Sequence, residues 1–119
     1  MSVQTNQYII AGVELDYKAC CEEHYESLSP YMDSAFDDKA AGKDGLFVLF
    51  DGMNGKYVIA GLLLARSKVY EQICDFTFKE LSDGVRKKIA ADINTHFSFL
   101  GGKTFTAKNI KTRLITHYR

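Results

Sequence analysis

Residues 45–65 read GLFVLFDGMNGKYVIAGLLLA, and this stretch decides the fold. Residues 46–50 are a short apolar run and residues 57–65 a longer one, with Asp51, Gly52, Met53, Asn54, Gly55 and Lys56 between them. Both runs have the length of strands, and neither alternates with polar residues, so both faces of each strand need cover. Asn54-Gly55 supplies the two positive φ angles of a type I′ turn, whose twist matches the flanking strands. The expectation is an antiparallel hairpin at the centre of a sheet covered on both sides, or covered by assembly.

Toward the N-terminus, residues 7–15 alternate. Ile9, Ala11, Val13 and Leu15 point one way and Tyr8, Ile10, Gly12 and Glu14 the other, which predicts a strand. Residues 1–6 are a polar lead-in with no expected fixed structure. Asp16 has the chemistry of an N-cap, its carboxylate placed to accept from free amides of the first turn. The helix it opens draws on Tyr17, Cys20, Cys21, His24, Tyr25 and Leu28. Ser29-Pro30 ends that helix and starts a short second one through Tyr31, Met32, Ala35 and Phe36, stopping before Gly42.

Toward the C-terminus, residues 72–79 set Cys74, Phe76 and Phe78 against Asp75, Thr77 and Lys79, predicting a third strand of the central group with one wet face. Ser82 caps the best helix pattern in the chain, with Val85, Ile89, Ile93, His96 and Phe97 as its buried stripe. Gly101-Gly102 stops it. The tail reads two ways. Thr106 caps a helix bearing Ile110, Leu114 and Tyr118, or residues 112–118 form a strand with Leu114, Thr116 and Tyr118 on one face; the helix is slightly preferred. The fold class is therefore α+β: one domain over 1–119, a mainly antiparallel sheet of four to five strands with two or three helices packed on it, in the order β-α-(α)-β-β-β-α-(α or β).

Composition agrees. The chain of 119 residues is 46% hydrophobic and 13% aromatic with one proline, enough to build a core and too apolar for a disordered chain. No signal-peptide pattern and no apolar run of membrane-spanning length is present. Three cysteines, two of them adjacent, make a poor disulfide framework, so reduced thiols and a cytoplasmic setting are expected. Net charge is zero, yet residues 1–54 carry ten acids against three lysines while residues 93–119 hold five basic residues and no acid. Charge is segregated along the chain.

The motifs that carry chemistry are few. The segment 51–56 departs from both a P-loop and a calcium loop: its glycines are too close, and Met53 stands where an oxygen ligand belongs. Cys20 and His24 lie four apart, the one local hint of a thiol–imidazole or metal site, but nothing lowers a thiol pKa by pattern, and the two read as helix residues. No metal, cofactor or catalytic residue is expected. Lys103, Lys108, Lys111, Arg113 and Arg119 form a basic C-terminal segment able to meet phosphates. Seven tyrosines exceed what a small core holds, and surface tyrosines anchor interfaces. The candidate binding residues are Tyr25, Tyr31, Lys108, Lys111, Arg113 and Tyr118.

The leading functional expectation is a non-enzymatic module that binds a protein partner or self-associates as a dimer, in the manner of accessory and inhibitor proteins of phages and mobile elements. Second comes nucleic-acid binding through the basic C-terminal segment. Third comes a small enzyme or ligand binder with a pocket near Cys21 and His24. A membrane is not an expected partner.

Overall fold

The computed structural model describes residues 5–32, 42–67, 75, 80–100 and 103–118. It is an α+β fold with four antiparallel strands in one sheet: β1 (Thr5–Leu15), β2 (Phe47–Phe50), β3 (Val58–Arg66) and β4 (Lys111–Tyr118), in the spatial order β2-β3-β1-β4. The helices are α1 (Tyr17–Glu22), α2 (Tyr25–Leu28) and α3 (Asp83–His96), with single 3₁₀ turns at Ser29–Tyr31, Ser98–Leu100 and Ala107–Asn109. Among the described residues no helix is long and apolar enough to cross a membrane.

The hairpin of residues 45–65 forms as expected, with Phe47 opposite Gly61 and Phe50 opposite Val58. Its place in the sheet differs from the expectation. β3 is interior, but β2 lies at an edge, where the only further backbone pairing among the described residues is a parallel bridge from Met32 to Val48. The interior neighbour of β3 is β1, because β1 is the longest strand and apolar on both faces through Val13. The turn differs too. Gly55 has φ of +66°, but Asn54 is not in the left-handed region, so this is no type I′ turn. Asp51, 1% exposed, organises the loop instead: its two carboxylate oxygens accept from the amides of Asn54 and Lys56, both at 3.0 Å. A buried acceptor that satisfies two loop amides overrides the local preference of Asn-Gly.

Each face of the sheet carries its own apolar cluster. Ala11, Val13, Val48, Val58 and Ala60 pack with Cys20, Leu28, Ile89, Ile93 and Phe97 from the helices. On the opposite face Tyr8, Ile10, Phe47, Leu49 and Ile59 form a second cluster, with Tyr57, Leu63 and Ile115 packed against it. That second face is concave. Gly12 and Gly61 face each other across β1 and β3, and a Cβ on Gly12 would lie 1.9 Å from the Ala60 carbonyl oxygen. Paired glycines that permit such close backbone approach mark a bend in a sheet. A register shift between Ile9 and Ile10, opposite Ala65 and Leu63, leaves Leu64 as an extra residue and adds twist.

The helical segments depart from expectation in detail. The first helix is broken at Glu23–His24 into α1 and α2, and Asp16 occupies the N-cap position without a side-chain cap bond. Ser29-Pro30 yields one 3₁₀ turn, with Pro30 near its start. Ala35 and Phe36 lie outside the described residues, as does the predicted strand 72–79 apart from Asp75. Ser82 does cap α3, accepting from the Val85 amide at 3.3 Å. Ile89, Ile93 and Phe97 are buried as predicted, joined by Ala90, while Val85 in the first turn is exposed. At the tail the preferred helix is replaced by β4. Thr106 caps only the turn at Ala107–Asn109, through reciprocal bonds with Asn109, before the chain pairs with β1. The β-branched residues Thr112, Ile115 and Thr116 suit the pleat that β1 offers. The lead-in is likewise shorter than expected, since Thr5 and Asn6 already belong to β1.

Candidate functional site

Among the described residues, one end of the sheet is formed by β4. It closes the sheet on the side away from the hairpin, and among the described residues nothing pairs with its outer edge. The direction of its amides follows from Gln7. The Gln7 N–H donates to Ser67 Oγ at 2.7 Å and its carbonyl accepts from the Ser67 amide at 2.8 Å, so both groups point to the β3 side. Along an antiparallel strand that direction alternates, so Asn6, Tyr8 and Ile10 point to β4 and form the hydrogen-bonded pairs with His117, Ile115 and Arg113. The backbone groups of Thr112, Leu114, Thr116 and Tyr118 then point outward.

The same four residues share one face of the strand, and all are exposed. Leu114 is 69% exposed and Tyr118 44%, a large aliphatic and an aromatic side chain at i and i+4 on an edge that no other described strand pairs with. Thr116 is steadied by its hydroxyl, which donates to Gln7 Oε1 at 2.9 Å. On the other face Lys111, Arg113, Ile115 and His117 follow the concave side. Arg113 is only loosely met by Glu14, Nη1 to Oε1 at 3.9 Å, and its Nε is buried with no hydrogen bond among the described residues. An open groove of about 570 Å³ runs beside it, lined by Glu14, Lys56, Tyr57, Ile59 and residues 113–116.

Tyr57 closes this face. Its hydroxyl and His117 Nδ1 are hydrogen-bonded at 2.7 Å, and the His117 ring meets Tyr8 edge-on at 5.7 Å. Burial, then the negative charge of Asp51 and the neighbouring Tyr118, push the Tyr57 hydroxyl up to about 12. Tyr57 therefore stays neutral at physiological pH and serves as a hydrogen-bonding wall.

The structure gathers some candidate residues and scatters others. Lys111, Arg113 and Tyr118 lie on β4, with Lys108 on the turn just before it. Tyr25 is exposed on α2, edge-on to Phe50 at 5.1 Å. Tyr31 is 6% exposed and belongs to the core, its hydroxyl bonded to His96 Nδ1 at 3.1 Å. Leu114, Thr112 and Thr116 were missed as site residues, although the period-two alternation of the tail carried the signal.

A second cavity, about 330 Å³, lies between α1 and α3, lined by Leu15, Asp16, Cys20, Ile93, Phe97 and Phe105 among others. Cys20 is fully buried there, whereas His24 lies outside the lining, beside Glu23 and the ring of Phe99. The Cys21 side chain is not among the described groups. No group of three or more His, Cys, Asp or Glu residues among those described could hold a metal ion. Comparison with protein-family models, with curated proteins and with solved structures gives no match.

Proposed function

We propose that this chain is a non-enzymatic protein-binding module that takes up an extended segment of another polypeptide along the outer edge of β4. Main-chain bonds supply affinity in strand addition, and side chains at alternate positions supply specificity. The observation that carries the reading is Leu114: a large apolar residue, 69% exposed, on an edge whose amides point outward. Edge strands left open to water are normally shielded by charge, proline or a bulge, and an exposed aliphatic residue on one argues for a partner. A reducing, cytoplasmic setting fits the three cysteines, an odd number with two of them adjacent. An accessory or inhibitor protein, as of a phage or mobile element, is the kind of protein this reading fits.

The basic residues give nucleic-acid binding less support, because Arg113 turns toward Glu14 while Lys103 lines the separate cavity at α1 and α3. The test is retention of binding by an edge-blocked chain. Leu114→Pro removes one outward donor and spares the amides that pair with β1. A partner captured from lysate by the native chain should be lost from Leu114→Pro and from Leu114→Lys, both with native circular dichroism. Equal capture by the folded variants would refute the reading.

A further inference from the structure

Resting on the strand-addition reading, we propose that the segment taken up by β4 is a stretch of a partner protein that is acidic on one face and apolar on the other. The two faces of β4 differ in kind. Lys111 and Arg113 stand two residues apart on one, and Leu114 and Tyr118 four apart on the other. Lys56, on the hairpin loop, lines the same groove as Arg113, and Lys108 precedes the strand. Against these cations the groove lining offers one acid, Glu14, held 3.9 Å from Arg113. A strand laid beside β4 places its residues directly opposite on the same face, where unlike charges attract and like charges repel. β4 contains no acid, and in antiparallel pairing a second copy would set its far end, Ile115 to Tyr118, opposite Lys111 and Arg113, so it would bring them no carboxylate. An acidic strand supplies carboxylates to both cations, adding to the loose contact of Arg113 with Glu14.

The register makes the sequence explicit. An antiparallel partner, continuing the pattern of the sheet, meets Tyr118 first and Lys111 last. Read from its N-terminus it is apolar, three residues of any kind, apolar, acidic, any, acidic. Its apolar residues cover Tyr118 and Leu114, and its carboxylates reach Arg113 and Lys111.

The probe is the labelled eight-residue peptide Ile-Thr-Thr-Thr-Leu-Glu-Thr-Glu, titrated against the full chain by fluorescence anisotropy, after sedimentation has established the chain's own state. Expected is saturable binding that weakens about five- to tenfold in the Lys111→Glu and Arg113→Glu double variant, the sum expected of two exposed ion pairs. Added salt should have a similar effect. A peptide with Gln in place of both Glu that binds equally well would overturn the acidic partner while leaving strand addition intact. If neither peptide binds, both readings fail. A native chain that dimerises through β4, with Leu114→Lys monomeric, would assign the edge to a second copy and overturn the proposal.

Discussion

Tyr57 and His117 are joined hydroxyl to imidazole at 2.7 Å, although the strand register sets them at opposite ends of the sheet. Tyr57 adjoins the pair Leu15–Val58, and His117 is opposite Asn6. Nine residues of flat strand would separate those ends by roughly 30 Å. The bond therefore reports how far the sheet curls over its second apolar cluster, and it fixes the concave face beside β4.

The burial of Tyr57, with Asp51 beside it, makes stability fall at alkaline pH. The Tyr57 hydroxyl is raised from 10.0 to about 12 in the fold, so its protonated form is favoured there. Below pH 10 the contribution is fully present. Between pH 10 and 12 the unfolded chain loses the proton first, and the contribution drains away. Urea unfolding across this range should show the decline, and Tyr57→Phe should flatten it. An unchanged alkaline limb in Tyr57→Phe would contradict the assignment.

Gly12 and Gly61 should tolerate no side chain. A Cβ at Gly61 would lie 2.1 Å from the Ala11 carbonyl oxygen, and neither backbone can yield without breaking the β1–β3 pairing. Gly12→Ala and Gly61→Ala should each lose about 3 kcal/mol or more in urea unfolding. Gly52→Ala, whose Cβ would meet only the Phe50 ring at 3.7 Å, should stay within about 0.5 kcal/mol.

Asp51 should be the most costly polar residue of the hairpin. Asp51→Ala strands two amides that its carboxylate now satisfies, and a loss of about 2–4 kcal/mol follows for two charge-assisted bonds. Asp51→Asn keeps one acceptor and should recover part of it. Thermal melts of the two variants would rank them, and the reverse order would show that loop geometry rather than bonding is decisive.

Two of the three predicted caps, Ser82 and Asp16, should separate by substitution. Ser82→Ala removes the bond to the Val85 amide and should cost about 1 kcal/mol. Asp16, exposed and without a cap bond, should change to Ala within about 0.5 kcal/mol. Equal losses in urea unfolding would mean that Asp16 caps α1 in solution.

The strands predicted over residues 7–15, 46–50 and 57–65 were legible because hydrophobic runs and alternation report burial directly. α3 was legible for the same reason, through Ile89, Ile93 and Phe97. What escaped was set by tertiary partners. The buried carboxylate of Asp51 chose the loop over the Asn54-Gly55 preference, and β1 chose a strand for a tail in which Leu114 and Tyr118 fit either period. Tyr31 looked like a spare surface tyrosine, yet His96, distant in sequence, takes its hydroxyl into the core. The site followed the same rule. Lys111, Arg113 and Tyr118 were named by residue type, while Leu114 became a candidate only once β4 was known to end the sheet.

Amide exchange resolved residue by residue along β4 tests the open edge most directly. In the dilute, unbound chain the amides of Arg113, Ile115 and His117 should be protected by β1, and those of Thr112, Leu114 and Thr116 should exchange rapidly. Adding the acidic peptide should protect the second set and leave the first unchanged. Uniform protection of all six amides in the unbound chain, or exchange of the second set that the bound peptide does not slow, would contradict the account.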